Sequence, residues 1–259
     1  MNTRLILVLI LLIAGCQPAA NHNSREHGTL TISAAASLKD AFGEVATLYQ
    51  QQTGDDVVFN FGASGTLQKQ IESGASVDVF ASAGSKQMDE LAAKQLIDGE
   101  TRRDFAENEL VLIVPKDAGI KINGFEELTR PEIKRIAVGN PATVPAGQYA
   151  RQAFEFMKFG SDFQQKLILA EDVRQVLDYV VRGETDAGVV YKTDALIAGD
   201  NVRIVATASP TSHDPIRYPI AVIKDSKQKP MAAKFIDVLL SPAGQAILSK
   251  YGFSSVPAK

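Results

Sequence analysis

The chain has 259 residues, of which 45% are hydrophobic and 22% are charged, and its formal net charge at pH 7 is −3. This composition is typical of a globular protein with a buried core, and neither the charge nor any basic, aromatic-rich cluster indicates binding to nucleic acid. With a single cysteine, the chain cannot form an intrachain disulfide or a cysteine-based metal site.

The N-terminal segment has the layout of a bacterial lipoprotein signal. A basic residue, a short apolar run and two small residues precede Cys16. The apolar run is shorter than the about 20 residues that a membrane-spanning helix needs. We therefore predict a signal peptide at 1–15, a lipidated Cys16, and a polar, flexible tether that occupies the rest of 16–28. A plain signal peptide with an incidental cysteine is the alternative.

The next part of the chain alternates between short apolar strands and amphipathic helices, whose apolar residues are spaced three or four apart. The strands are predicted at 29–34, 57–61 and 77–81, and the helices at 37–51, 66–72 and around Met88 and Leu91. This alternation predicts an α/β fold in which a mixed, mostly parallel sheet is flanked by helices.

A strongly apolar strand at 109–114 begins a second series of strands and helices. Its further elements are predicted as strands at 135–138, 167–170, 187–191 and 203–206 and helices at 147–159 and 172–182. A late strand at 218–222 and terminal helices at 231–240 and 243–250 lack partners in this series, so we expect them to return to the first. The predicted organisation is two lobes joined by two crossings. Lobe 1 contains residues 29–107 and 217–259, and lobe 2 contains residues 108–216.

Three junctions between a strand and a helix carry groups suited to an anion. Ser37 follows the first strand, Ser64 lies between Gly62 and Gly65 after the second, and Ala146 begins a helix in lobe 2. Ligands of open α/β sheets lie beyond the carboxyl ends of the strands, where helix N-termini offer free N–H groups and a partial positive charge. Taken alone, Ser37 is better explained as a helix cap, which is worth about 1 kcal/mol.

Val173 and Tyr191 complete the candidate site. Val173 opens a helix after two acidic residues, and Tyr191 ends a strand. Each has a structural explanation as well, since acidic residues are common in first turns and a tyrosine at a strand end is usually half-buried packing. Together these junctions predict a site of hydroxyls, backbone N–H groups and one phenol, with no committed positive charge. The neighbouring Arg174 is expected to point to solvent.

A hydrolase is the alternative from a different functional class. Ser64 could act as a nucleophile with His213, which lies beside Asp214. The Gly-x-Ser-x-Gly pattern of a nucleophile elbow is not matched, however, and a P-loop would need a lysine that this segment lacks. We therefore predict no catalytic residue and no cofactor.

Several segments resemble the periplasmic molybdate-binding proteins of molybdate ABC importers, in their lipoprotein form. They occur in order over nearly the whole mature chain: AAASL (34–38), FGASGTLQKQI (61–71), GASVDVFASA (74–83), VPAGQYA (144–150), AEDVRQVL (170–177), GVVYKTDA (188–195) and KYGF (250–253). The resemblance implies a type II periplasmic-binding-protein fold, in which two lobes joined by two hinge strands close on molybdate or tungstate.

The resemblance also implies which groups bind the oxyanion. These are the hydroxyls of Ser37 and Ser64, the backbone amides of Ala146 and Val173, and the phenol of Tyr191. The molybdenum would then have no direct protein ligand and would be bound as its oxyanion. The implied protein is a monomer that faces the periplasm or the cell exterior and delivers its ligand to a membrane permease. A binding protein for sulfate or phosphate is the alternative within this class.

Overall fold

The structure is a computed structural model that describes residues 27–119 and 121–256. The predicted signal peptide, the lipidated Cys16 and most of the tether lie outside these residues. The strands within the described part are β1 (Thr29–Ala35), β2 (Asp56–Gly62), β3 (Val79–Ala81), β4 (Arg103–Glu107), β5 (Leu110–Pro115), β6 (Ile136–Gly139), β7 (Leu167–Ala170), β8 (Ala187–Tyr191), β9 (Val202–Thr207) and β10 (Arg217–Val222).

The α-helices of the same part are α1 (Lys39–Thr53), α2 (Ser64–Glu72), α3 (Ser85–Ala93), α4 (Pro145–Phe156), α5 (Ser161–Gln164), α6 (Val173–Val181), α7 (Lys192–Ala198), α8 (Lys229–Leu240) and α9 (Pro242–Lys250). Short 3-10 turns lie at Ala36–Leu38, Gly99–Thr101, Phe125–Thr129 and Gly199–Asn201. Most predicted strands and helices are present, with boundaries shifted by a few residues.

The first sheet has the strand order β2-β1-β3-β10-β4. β1 pairs in parallel with β2 and β3, whereas β10 pairs antiparallel with β3 and β4. The late strand β10 therefore joins a sheet whose other strands come from the N-terminal part of the chain.

The second sheet has the corresponding order β7-β6-β8-β5-β9. β6 pairs in parallel with β7 and β8, and β5 pairs antiparallel with β8 and β9. Both sheets are mixed and flanked by helices, which confirms the predicted fold class. The lobe boundaries after residues 107 and 216 stay predictions.

Helix α6 illustrates why these segments fold locally as they do. Four of its apolar residues recur at helical spacing and are buried: Val173, Val176, Leu177 and Val180. Burying each such side chain stabilises the fold by about 1.5–3 kcal/mol, so one apolar face fixes the helix against its sheet. The carboxylate of Asp172 caps the helix by accepting hydrogen bonds from the N–H groups of Arg174 and Gln175.

The sequence prediction lacks the four-residue helix α5 and also two longer elements. β4 has the sequence RDFAE, with three charged residues and no β-branched one, so its composition does not favour a strand. Helix α7 begins directly after β8, with no turn residue between them, so no breaker marks its start. Both elements depend on tertiary context, which a local pattern does not contain.

Two segments connect the sheets, one between β4 and β5 and the other between β9 and β10. They lie side by side, since Asn108 N donates to Ile216 O at 3.2 Å. Two adjacent connections of this kind allow the lobes to move about a common hinge.

No single helix in residues 27–119 and 121–256 is long and apolar enough to cross a membrane. Taken together, α8 and α9 have the length and apolar composition of a membrane-spanning segment, but they are bent by 63° relative to each other. Phe235 and Leu239 of α8 are completely buried in the core.

Candidate functional site

A small cleft between the two lobes contains all five predicted site residues. Ser37 and Ser64 approach it from lobe 1, and Ala146, Val173 and Tyr191 approach it from lobe 2. The space in the cleft that a water-sized sphere can reach is about 10 Å³, far below the about 300–1,000 Å³ of sites for drug-sized ligands. The structure brings these residues together, and their contact with a ligand stays a prediction.

Ser37 lies in the 3-10 turn between β1 and α1. The residue at the N-terminal boundary of α1 is Leu38, and no side chain caps this helix. The interpretation of Ser37 as a helix cap is therefore wrong, because the 3-10 turn moves the helix start past it. Its Oγ instead lies 3.1 Å from the hydroxyl oxygen of Tyr218, and the residue is buried at the edge of the cleft.

Ser64 is the first residue of α2 and is completely buried. Its Oγ accepts a hydrogen bond from Ala83 N at 3.0 Å. A hydroxyl that accepts in this way keeps its own O–H free to donate. Ser64 therefore offers a donor at a helix N-terminus, where the partial positive charge of the helix favours an anion.

Ala146 and Val173 supply backbone N–H groups. Ala146 is the second residue of α4 and Val173 is the first residue of α6, and N–H groups in a first helical turn have no intrahelical acceptor. In α6 the carboxylate of Asp172 accepts from the next two N–H groups of the helix. That cap leaves the N–H of Val173 for the cleft.

Tyr191 has a hydroxyl that already has a partner. The residue ends β8, is almost completely buried, and donates its O–H to Ala83 O at 3.1 Å. Burial raises the pKa of the phenol well above its usual value, so the group stays protonated. To donate to an anion, the O–H must leave Ala83 O, and the predicted ligand role of Tyr191 depends on that exchange.

The two lobes touch directly beside the cleft. Gly65 N donates to Thr143 O at 2.8 Å, and Gln87 Nε2 donates to Gln148 Oε1 at 3.3 Å. A Cβ atom at position 65 would lie 2.6 Å from Thr143 O and 2.9 Å from Thr143 Cα. The lobes are therefore in a closed arrangement, and the absence of a side chain at Gly65 permits it.

Arg174 does not point to solvent, so that prediction was wrong. Its Nε lies 2.5 Å from Asp194 Oδ1 in lobe 2, and its Nη2 lies 2.7 Å from Asp40 Oδ2 in lobe 1. The same Nη2 donates to Ser37 O at 3.4 Å. The guanidinium turns inward because the buried Asp194 carboxylate needs a nearby opposite charge. Two carboxylates hold this positive charge, so it is not free for the cleft.

Asp194 is the completely buried member of this group. Burial raises the pKa of its carboxyl from 3.8 to about 6, although the Arg174 guanidinium acts to lower it. The folded state thus binds this proton more tightly than the unfolded chain does. Asp194 therefore adds stability that is complete below about pH 4 and is lost as the pH rises through about 6.

This linkage gives a measurable pH dependence. We expect the free energy of unfolding of the wild type, relative to that of Asp194→Asn, to rise by on the order of 3 kcal/mol as the pH falls from about 7 to about 4. Urea unfolding of both proteins at several pH values measures the difference. If the difference stays constant over this range, Asp194 does not titrate there.

The contacts of His213 and Ser64 bear on the hydrolase alternative. His213 Nδ1 lies 2.7 Å from Asp214 O, whereas Ser64 Oγ is bonded to Ala83 N. A Ser64–His213 pair is not among the hydrogen bonds of the described residues. In 27–119 and 121–256 there is also no group of three or more His, Cys, Asp or Glu side chains that could hold a metal ion.

A larger and more open groove lies between α3 and α4. It is lined by side chains of both signs, including Lys86, Arg151, Asp89 and Glu90. Because Asp214 and Arg217 complete a lining with equal numbers of positive and negative side chains, this groove offers no net positive charge to an anion.

Sequence reasoning missed three residues that shape the cleft. Ala83 contacts both Ser64 and Tyr191 through its backbone, which no side-chain pattern reveals. Asn108 and Tyr218 are 110 positions apart, yet Asn108 Nδ2 lies 3.1 Å from the Tyr218 hydroxyl. Two sequence features could have indicated this pair. One is a polar residue between two strands, and the other is a tyrosine within an apolar strand.

Comparison with known proteins places the chain among binding proteins. Residues 30–254 match the family described as bacterial extracellular solute-binding protein. The chain is 39% identical to YvgL of Bacillus subtilis (strain 168), provisionally named as an ABC transporter substrate-binding lipoprotein, over 96% of this chain and 95% of that one. It is also 39% identical to the molybdate-binding protein ModA of Escherichia coli (strain K12), over 88% of this chain and 90% of that one.

A solved structure shows the same fold. The periplasmic molybdate-binding protein of Azotobacter vinelandii superimposes with a TM-score of 0.79 at 24% sequence identity, covering 88% of this chain and 100% of that one. At this identity the likeness concerns the two-lobed architecture alone, which agrees with the two mixed sheets described above.

Proposed function

Because the chain belongs to the bacterial extracellular solute-binding protein family, we propose that it is the substrate-binding component of an ABC importer and captures molybdate or tungstate. The observation that carries the proposal is the small cleft between the lobes. Two serine hydroxyls from lobe 1 and the N-termini of α4 and α6 from lobe 2 meet there. Its activity is binding and release, without chemical conversion of the ligand.

The chemistry of the cleft suits a dianion that only accepts hydrogen bonds. The candidate donors are neutral, and the nearby guanidinium of Arg174 is held by Asp40 and Asp194. An arginine fork would bind phosphate and sulfate strongly and would discriminate poorly among tetrahedral anions. Rigid neutral donors spaced for longer metal–oxygen bonds favour the larger molybdate and tungstate ions. The name of the Escherichia coli relative supports the same ligand class.

Capture is coupled to closure, because the candidate ligands are divided between the lobes. An anion that contacts Ser37 and Ser64 on one side and Ala146 and Val173 on the other binds the closed form better and shifts the population toward it. The closed form then presents to a membrane permease the surface by which that permease recognises a loaded protein.

The protein is further proposed to act as an exported monomer, anchored at Cys16 to a membrane facing the periplasm or the cell exterior. The family is extracellular by its description, and the name of the Bacillus subtilis relative includes lipoprotein. A mass spectrum of the protein purified from membranes tests the anchor, since Cys16 should be the N-terminal residue and carry acyl chains.

Titration calorimetry tests the ligand. A form that begins at Gln17, without the predicted anchor, should bind molybdate and tungstate with micromolar or tighter dissociation constants, below about −8 kcal/mol in binding free energy. Sulfate and phosphate should give little heat at the same concentrations. Equal affinity for sulfate would contradict the specificity, and the absence of binding to all four anions would contradict the function.

A further inference from the structure

Tyr218 lies behind the cleft and not in its lining. It belongs to β10, is completely buried, and packs edge-on against the rings of its aromatic neighbours. Those neighbours are Phe105, Tyr191 and Phe253. Its hydroxyl oxygen has two polar partners among the described residues, Ser37 Oγ at 3.1 Å and Asn108 Nδ2 at 3.1 Å.

The direction of these hydrogen bonds follows from the chemistry of Asn108. Its Oδ1 accepts from Glu109 N at 2.9 Å, so its NH2 group faces Tyr218. An amide NH2 group only donates, so the oxygen of Tyr218 accepts. Of its two partners, Ser37 Oγ is then the one that can accept the Tyr218 proton.

A hydroxyl that accepts at its oxygen turns its own proton elsewhere. If Tyr218 donates to Ser37 Oγ, the O–H of Ser37 is free to point into the cleft. Burial raises the pKa of the Tyr218 phenol well above its usual value, so the phenol keeps the proton that it donates to Ser37. The hydrogen bonds from Asn108 to Tyr218 and from Tyr218 to Ser37 run in the same direction, so each polarises and strengthens the other.

We propose that Tyr218 and Asn108 are positioning residues that fix the Ser37 hydroxyl as a donor to the bound oxyanion. The inference rests on the proposed function and adds to it two residues that do not touch the ligand. Preorientation matters because a donor already aimed at its acceptor needs no reorganisation when the anion arrives.

Asn108 extends this arrangement to the hinge. It lies on the connection between β4 and β5, and its Nδ2 also donates to Thr193 Oγ1 of α7 at 3.0 Å. One amide therefore contacts β10 of lobe 1 and α7 of lobe 2 at once. The orientation of Ser37 is thereby tied to the position of the hinge.

A double-mutant cycle separates positioning from general damage. Tyr218→Phe keeps the buried ring and removes its hydroxyl, so calorimetry with sodium molybdate should show about 10-fold weaker binding. In a Ser37→Ala background the same change should have less than a two-fold effect, because the group that Tyr218 orients is gone. In a Ser64→Ala background it should keep its about 10-fold effect, since Ser64 is held by Ala83.

Asn108→Asp gives an independent check that does not depend on Tyr218→Phe folding well. A carboxylate at position 108 accepts from the Tyr218 O–H, so Ser37 no longer receives that proton. The Tyr218 oxygen then competes with the anion for the Ser37 O–H. The added negative charge weakens molybdate binding whether or not the Ser37 hydroxyl is present. The part of the affinity loss that is seen with Ser37 but not in the Ser37→Ala background therefore measures positioning alone.

Three outcomes decide the inference. The inference is supported if the losses of binding free energy caused by Tyr218→Phe and Ser37→Ala are not additive, whereas those caused by Tyr218→Phe and Ser64→Ala are additive. Unchanged binding in Tyr218→Phe, or equal losses in both serine backgrounds with an unaltered melting temperature, overturns it and leaves the proposed function intact. A wild type that binds no molybdate overturns the proposed function and this inference with it.

Discussion

Ser37→Ala combined with Ser64→Ala should weaken molybdate binding by about 100-fold or more. Each hydroxyl is positioned to donate to the anion, and a hydrogen bond to a charged group contributes about 1.5–3 kcal/mol. Calorimetry measures the affinity, and urea unfolding measures the accompanying change in stability. Because Ala83 N donates to Ser64 Oγ, the double variant should also lose about 1–3 kcal/mol from the unpaired buried N–H.

Ser161→Ala is the matched control for this pair. Ser161 is exposed at the start of α5, so the same chemical change should leave both affinity and stability within error. A folded double variant that binds molybdate as tightly as the wild type would show that the two serines do not hold the ligand.

Gly65→Ala should prevent full closure and weaken binding by about 10- to 100-fold. The new Cβ would lie 2.6 Å from Thr143 O, and forcing one methyl group into a packed contact costs about 1–3 kcal/mol. The clash is with backbone atoms, so no side chain can rotate away, and opening of the lobes relieves it. Small-angle scattering with saturating molybdate should show a larger radius of gyration for the variant than for the wild type.

Gly43→Ala is the control for this change. Gly43 is exposed in α1 and a Cβ there meets no atom within 4 Å, so closure should be unaffected. If Gly65→Ala binds with wild-type affinity and compacts equally, the Gly65–Thr143 contact does not limit closure.

The positions of the candidate ligands could be predicted because they depend on local features. Ser64 and Val173 begin helices, and Ala146 is the second residue of one. Helix starts leave free N–H groups wherever the rest of the chain goes. A strand–helix pattern read along the sequence is therefore enough to place such groups at the edge of a sheet.

The orientation of side chains in the cleft could not be predicted in the same way. Arg174 turns inward because Asp194, 20 residues later, is buried beside it. The O–H of Tyr191 is directed to Ala83, 108 positions away. Contacts of this range depend on how the two lobes meet, and a single sequence contains no direct signal for them.

The resemblance to molybdate-binding proteins assigned Ser37 a ligand role, which the spacing of residues alone did not. Physical reasoning from Ser37 favoured a helix cap, and the structure instead places its hydroxyl against Tyr218. The 3-10 turn at Ala36–Leu38 is the cause, because one extra turn before α1 moves the cap position past the serine. A shift of this size lies within the uncertainty of any helix boundary predicted from sequence.

The account depends most on where the anion binds. A crystal of the protein grown with molybdate, measured at the molybdenum absorption edge, locates the metal directly through its anomalous scattering. We predict one strong peak in the cleft, with oxyanion oxygens at hydrogen-bond distance from the hydroxyls of Ser37 and Ser64 and the N–H groups of Ala146 and Val173. A peak in the groove beside Lys86 and Arg151, with the cleft empty, would contradict it.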